Sequence, residues 1–451
     1  MVTEATEPVT AALFGLDGFR VLAAADAGGE LELMIETTGD LVPCPECGAV
    51  ATPKDRRPTW VGDLPIAGRP VVLCWVKRVW WCEHALCPRK SWTEQHPAIA
   101  PRAVLTERAA AAAAAQVSNR RDTVAGQARA FGVGWHTTMR QVHERGTPVV
   151  EDPARLEGVT AVGLDEHAWQ RGGPRRHTRY ATGIVDLTPG RPARLLDLVQ
   201  GRSGTALVNW LAARPESWRA GIRVAALDPF RGYASALADQ LPAATRVLDA
   251  FHVVKLGLTA LDDTRRRVQQ QTTGHRGHKT DPLYRARRLL RRRADRLDQR
   301  GWARLRDRLD AGDPDGEVTA AWIIAQDLMA VYAAPTAELG RTHAEKAIDQ
   351  ALSCPVPEVA RLGRTLRDWR PELLAHFDTN GASNGPTEAI NLLIETTRRT
   401  GHGFRNFDNY RLRLLLAHGD TTCDHGAPRI CECRCGAPGW RTARLGAGDP
   451  A

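Results

Sequence analysis

The stretch Val159-Thr160-Ala161-Val162-Gly163-Leu164-Asp165 decides the fold. It is a short apolar run closed by an acid, the pattern of a buried strand with a functional group at its carboxyl end. Downstream, Tyr180 to Leu187 and Arg194 to Val199 read as two further strands. A helix fits Thr205 to Ala213, and the strand Ile222-Arg223-Val224-Ala225-Ala226-Leu227 ends at Asp228. A helix from about Gly232 to Gln240 and the strand Thr245-Arg246-Val247-Leu248-Asp249 follow. Three hairpin-like strands and then strand–helix alternation predict a mixed α/β sheet. From about Lys255 to Ala375 the pattern is helical and basic, densest from Arg285 to Arg296. A last helix begins near Pro386, and the chain after about Gly419 reads as a loop-like tail.

Upstream of the deciding stretch, residues 1 to about 40 hold short alternating strands such as Leu31-Glu32-Leu33-Met34-Ile35. Cys44-Pro45-Glu46-Cys47-Gly48 is a knuckle turn in which two thiolates three residues apart can grip one ion. Cys82 and Cys87 form a second pair, and the segment from about Pro70 to Trp80 between the pairs has strand character. Cys44, Cys47, Cys82 and Cys87 around a β-hairpin suit a closed structural Zn2+ site, with His84 as an alternative ligand and Cys74 as a packing residue. Cys423, Cys431, Cys433 and Cys435 fit either a second metal site or a plain tail.

Residues 101–145 read as helices rich in alanine, and Asp122 to Glu144 fit a helix, a turn at Phe131-Gly132-Val133-Gly134 and a second helix. Trp135, His136, Thr137, Thr138, Arg140 and Gln141 on the second helix are placed to meet base edges or phosphates. An ordinary helical hairpin is the competing reading. Gly146-Thr147-Pro148 reads as a joint before the α/β part.

The net charge is +9 with a sequence pI near 9.2, which favours a polyanionic partner. No stretch is apolar for long enough to span a bilayer, and no leader is visible, so the expected location is cytoplasmic, on the nucleoid. Clustered cysteines in a reducing compartment read as metal ligands.

Asp165 and Asp228 both close apolar strands, so neighbouring strands would bring their carboxylates to the same divalent ions. A third acid is expected from a helix, and Glu388 in Ser383-Asn384-Gly385-Pro386-Thr387-Glu388 is the candidate, with Glu395 its rival. Ala389, Ile390, Leu393 and Thr397 form the expected buried stripe of that helix, with Glu388, Asn391 and Glu395 on another face; Asn391 could hold a metal-bound water. Taken singly, each acid also fits a turn, a cap or a response to the helix dipole.

The order of Gly163-Leu164-Asp165-Glu166-His167-Ala168-Trp169, Asp228-Pro229-Phe230-Arg231-Gly232-Tyr233, Asp249-Ala250-Phe251-His252-Val253-Val254-Lys255-Leu256, the Glu388 motif and Gly403-Phe404-Arg405-Asn406-Phe407-Asp408-Asn409-Tyr410-Arg411-Leu412-Arg413 is specific. With the Cys-Pro-x-Cys-Gly element, it closely resembles the ISL-three family of insertion-sequence transposases over roughly residues 40 to 417. The resemblance implies an α/β ribonuclease-H-like catalytic domain at 158–417 with a helical insertion at about 256–375. The residue readings above add N-terminal strands and a zinc-binding β module at 1–100, a helix-turn-helix at 101–146 and a Cys-containing tail at 418–451. The resemblance assigns Asp165, Asp228 and Glu388 to Mg2+ (or Mn2+), and Asp249 and His252 match a family motif next to the active site; Asn391 joins them in support from the helix-face reading above. Arg288, Arg291 and Arg292 in the insertion would touch phosphates. The partners implied are double-stranded DNA, as terminal inverted repeats and target, and further copies of the chain. The competing functions are a decayed or co-opted DNA-binding regulator and an unrelated ribonuclease-H-like nuclease.

Overall fold

The computed structural model describes residues 14–419 except Arg120 and Arg276. The cysteines from Cys423 onward lie outside the described residues. The described chain forms two compact units that divide between Val149 and Val150.

The first unit is built on a five-stranded sheet. Strands β1 (Phe19–Ala27) and β2 (Glu30–Thr37) form a hairpin, and β2 runs parallel to β4 (Arg69–Trp81). Strand β3 (Thr52–Ile66) pairs antiparallel with β4, and the short β5 (Ser91–Thr93) pairs with the far end of β4. The polar start of β3, with Pro53 and Pro58, gives no strand signal in the sequence. It can be a strand because β3 lies at the sheet edge, where a missing N–H costs no ladder bond. Phe19, Ile35, Leu73 and Trp75 lie in the core of this sheet. Helices α1 (Glu107–Asn119), α2 (Val124–Ala130) and α3 (Trp135–Glu151) follow. Buried Asp63 of β3 ties sheet to helices, accepting Thr106 Oγ1 at 2.6 Å and Arg108 Nε at 2.9 Å.

Thr123 caps α2, and Gly132 takes a left-handed φ of 64° in the turn, as the helix-turn-helix reading requires. Two details differ from expectation. Gly146-Thr147-Pro148 is no joint, because α3 runs through it to Glu151. Pro148 and Glu144 are exposed, so the carbonyl that loses its helical donor can turn to water. Thr138 is fully buried and points into the unit, so it cannot reach a base edge.

The second unit carries the mixed sheet, in the order β10-β9-β6-β7-β8. Strands β6 (Ala161–Gln170), β7 (Arg179–Asp186) and β8 (Arg194–Gln200) form an antiparallel meander. Strands β9 (Val224–Leu227) and β10 (Thr245–Leu248) run parallel to β6, with α4 (Gly204–Ala212), α5 (Glu216–Gly221) and α6 (Arg231–Gln240) between the meander and β10. The expected strand ending at Asp165 is longer: β6 continues to Gln170. Its pairing with β9 stops at Gly163, but its pairing with β7 goes on, so Asp165 lies mid-strand and just beyond the parallel ladder.

The helical stretch runs from α7 (Ala250–Thr273) through α8 (Pro282–Leu290), α9 (Gln299–Gly312), α10 (Glu317–Val331), α11 (Ala337–Ser353) and α12 (Pro357–Asp368) to α13 (Arg370–Asp378). α7 packs on α10 and α12, and α13 returns to β10. Helices α14 (Gly385–Thr400) and α15 (Phe407–His418) then lie on β6 to β8. Val162 and Leu164 enter the large apolar core of this unit, while Gly163 and Asp165 face α14. The buried stripe of α14 is Thr387, Ile390, Ile394 and Thr397. Ala389 and Leu393, expected inside, are exposed. The motif around Tyr410 has a packing role: Tyr410 Oη meets His167 Nε2 at 2.8 Å, and Phe407 and Tyr410 pack on buried Trp169.

Candidate active site

The carboxyl ends of β9 and β10 lie side by side and carry Asp228 and Asp249. Asp249 caps α7, and its Oδ2 accepts the backbone N–H of His252 at 3.2 Å and lies 2.9 Å from His252 Nδ1. The same Nδ1 is 3.0 Å from Asp228 Oδ1, so one imidazole spans two carboxylates. Asp165 approaches from β6. Its Oδ1 accepts Glu166 N–H at 2.7 Å, and its Oδ2 accepts the side-chain amide of Asn391 from α14.

Burial first, then the charge of Asp165 and a hydrogen bond shared with it, raise the Asp228 carboxyl to about 9. Glu388 is also raised, by burial and then by Asp165. Burial works the other way on Asp249 from its hydrogen bonds, which come from His252 and the Asn384 N–H; they prevail and hold it below the ordinary range. Asp228 and Glu388 thus each feel the charge of Asp165. The tightest donor cluster is nevertheless Asp228, Asp249 and His252, whose ligand atoms lie within 4.8 Å of one another.

Glu395, the rival third acid, is engaged elsewhere. It bonds Arg398 at 2.7 and 2.8 Å and Arg399 at 2.9 Å. The Arg398 bonds, with Arg399 and against burial, pull its carboxyl down to about 2. It is a neutralised anion, and Glu388, two helical turns earlier, has no arginine bonded to it among the described residues.

Asn384, which the sequence offers only as part of the Glu388 motif, is brought to the acids by the fold. Its side chain donates to Leu164 O at 2.9 Å and its N–H to Asp249 Oδ1 at 3.0 Å. It thereby pins the start of α14 to two strands. Gly163 makes the approach possible, since a methyl group there would run into Thr387 Oγ1 and Asn384 Oδ1. The only sequence signal was a polar residue before Gly-Pro, which a helix start explains equally well.

In the first unit, Cys44, Cys47, Cys82 and Cys87 converge with all sulfurs within 4.8 Å. Gly48, at φ 71°, lets the knuckle close with a Gly48 N–H to Cys44 O bond of 2.9 Å. His84 is exposed and outside the cluster, and Cys74 sits in β4 away from it. Four thiols so close, three of them buried, are an arrangement that a tetrahedral cation satisfies.

A family model described as "Transposase" matches residues 162–414, and one described as "Helix-turn-helix domain of transposase family ISL3" matches residues 94–146. The chain is 26% identical over 409 residues to the transposase for insertion sequence element IS1001 of Bordetella parapertussis, covering 88% of this chain and 94% of the relative. It is 26% identical over 272 residues to the transposase for IS1557 of Mycobacterium tuberculosis, covering 56% and 58%. Among solved structures, the Drosophila P element transposase strand transfer complex matches with a TM-score of 0.38 and 9% identity, covering 70% of this chain and 92% of that one. The chain belongs to transposase family ISL3. That makes it a DDE-class enzyme of DNA cleavage and strand transfer with a helix-turn-helix DNA-binding part. Among the described residues no helix is long and apolar enough to cross a membrane.

Proposed function

We propose that this protein cuts DNA at the terminal inverted repeats of its own insertion sequence and joins the freed ends to target DNA. The reaction runs on a ribonuclease-H-like domain in which Asp165, Asp228 and Glu388 hold two Mg2+ or Mn2+ ions. The antiparallel meander followed by two parallel strands supports that fold. The observation that carries the reading is the donor set. Asn384 Oδ1, Thr387 Oγ1 and Asn391 Oδ1 are buried without a hydrogen-bond partner among the described residues, next to Asp228 and Asp165, whose charges repel. Oxygen-rich, acidic and under-satisfied, this site fits hard divalent cations.

When bound, such ions polarise the phosphodiester and ease ionisation of the attacking and leaving oxygens. The chain's own residues orient the acids. Asn391 fixes Asp165, while His252, itself held by Asp249, fixes Asp228. On α3, Trp135, His136 and Arg140 are exposed, and Thr137 and Gln141 half-buried, as a reading face needs. Arg288, Arg291 and Arg292 are exposed and form no ion pair among the described residues, which leaves them available to phosphates. Zn2+ on the four cysteines holds the β module together. Further copies of the chain would bring the two ends into one complex.

The test is a strand-cleavage assay on DNA carrying the element ends, with Mg2+ or Mn2+, comparing the native protein with Asp228→Asn. Cleavage by the native protein alone, with DNA binding retained in the variant, is expected. Cleavage by Asp228→Asn refutes the assignment, and binding without cleavage by the native protein in every ion tried leaves only a DNA-binding regulator.

A further inference from the structure

Three large apolar side chains are exposed around the acids: Phe230 at 43%, Phe251 at 57% and Leu392 at 68%. Phe230 follows Asp228 by two residues, and its N–H bonds Asp228 O at 2.6 Å. Phe251 adjoins His252, whose Nδ1 is 3.0 Å from Asp228. Leu392 lies one helical turn beyond Glu388 on α14. The segments that carry Asp228, His252 and Glu388 thus each present an exposed apolar side chain beside these polar groups.

The two rings are exposed but not loose. Phe230 packs edge-on to Tyr233 with centroids 5.0 Å apart, and it lies over Gly232, where a Cβ would come 2.5 Å from its Cε1. Tyr233 is itself anchored by a 2.8 Å bond to Thr182. Phe251 packs edge-on to His252 at 5.3 Å, with Lys255 Nζ 5.8 Å from its ring centre. Lys255 is exposed, pairs with no carboxylate among the described residues, and is near enough to Glu388 to draw its carboxyl downward. A held aromatic face beside an unpaired cation is a match for one ligand chemistry, a nucleobase with its phosphate.

We infer that Phe230 and Phe251, with Leu392, form a platform that takes an unpaired nucleotide next to the scissile phosphate, with Lys255 on its backbone. This rests on the strand-cleavage reading above. A duplex offers the rim only phosphates and grooves, whereas an unstacked base offers a flat apolar face. Asp165 is only 7% exposed, so the phosphate must enter a recess. Opening the adjoining pair lets one strand do so, and stacking on the rings offsets the cost of opening.

The experiment has two arms, both with the full chain. In the first, cleavage by the native protein, Phe230→Ala, Phe251→Ala and Phe251→Trp is measured on fully paired ends and on ends with mismatches beside the cut. Each alanine variant should lose about tenfold on paired DNA and recover most of it on pre-opened DNA, while Phe251→Trp retains activity. In the second, permanganate reactivity of thymines beside the cut is read in the complex of Asp228→Asn, where no cleavage is needed. Heightened reactivity that falls in the Asp228→Asn/Phe251→Ala double variant is expected. Equal losses on both DNAs, unchanged activity in the alanine variants, unreactive thymines, or dissociation of oligomers by Phe251→Ala would each overturn the inference; the last would make the rim a contact between copies. Absence of cleavage by the native protein sinks the enzymatic reading instead, and the permanganate arm still reports on the rim.

Discussion

Asp249 accepts the backbone N–H of Asn384 at 3.0 Å, joining two residues 135 positions apart in the chain. Its other oxygen takes His252 of α7 at 2.9 Å. One buried carboxylate thus ties the start of the helical stretch to the start of α14, four residues before Glu388. Asp249→Ala strands a buried N–H and loses a helix cap, so unfolding should become easier by about 2–4 kcal/mol. Because Glu388 and His252 lose their common anchor, strand cleavage should fall by about a hundredfold. DNA affinity, read by gel shift, should hold. Loss of binding in step with cleavage would reduce Asp249 to a folding residue.

Glu388 and Glu395 lie on the same helix, yet only one is expected to matter chemically. Glu388→Gln should lower cleavage by at least about a thousandfold, the scale of weakening the hold on a cation that would stabilise the reacting phosphate. Glu395→Gln loses partly exposed ion pairs and should stay within about threefold of the native rate. The reverse ranking in the same assay would transfer the third acid to Glu395.

The four-cysteine cluster should carry one zinc ion per chain, measurable by metal analysis of the purified protein. Cys82→Ser removes a buried ligand, so it should abolish zinc retention and lower the unfolding temperature of the first unit. A strong chelator should do the same to the native protein. Full thermal stability after complete zinc removal would show that the thiols pack without an ion.

Arg267 of α7 joins Glu317 of α10 and Glu358 of α12 at 2.9 and 2.8 Å. The hydrogen bond from Arg267 holds the Glu358 carboxyl below its ordinary value of 4.5. A carboxyl so depressed stabilises the fold above pH about 4.5, and that contribution is lost as the pH falls through the lowered value. Arg267→Met should cost about 2 kcal/mol at neutral pH and flatten this acid-side loss. Denaturant midpoints between pH 3 and 7 measure it. Parallel pH profiles for the two proteins would remove the pair from the acid response.

The legible parts of this molecule are those written in local pattern. Apolar alternation and run length marked the mixed sheet from Val159 to Asp249, because strands bury side chains with a period of two. The Phe131-Gly132-Val133-Gly134 turn and the Cys-Pro-x-Cys-Gly knuckle were readable because a left-handed glycine and paired thiols each serve a local geometry. Where neighbours decide, the sequence was silent or misleading. The proline-bearing β3 is a strand only because it lies at an edge, and α3 passes Pro148 only because that turn meets water. Leu393 was expected inside, but α14 is rotated so that Ile390 and Ile394 face the sheet, and Gly163 sets how closely it lies. Likewise, three acids in order name a chemistry, and the i,i+3 and i,i+4 spacing of Arg398 and Arg399 already pairs them with Glu395, but only the fold brings Glu388 near Asp165 and Asp249. Hydrogen bonds between distant residues have no period in the chain, so only the tertiary structure assigned Asn384 to Asp249.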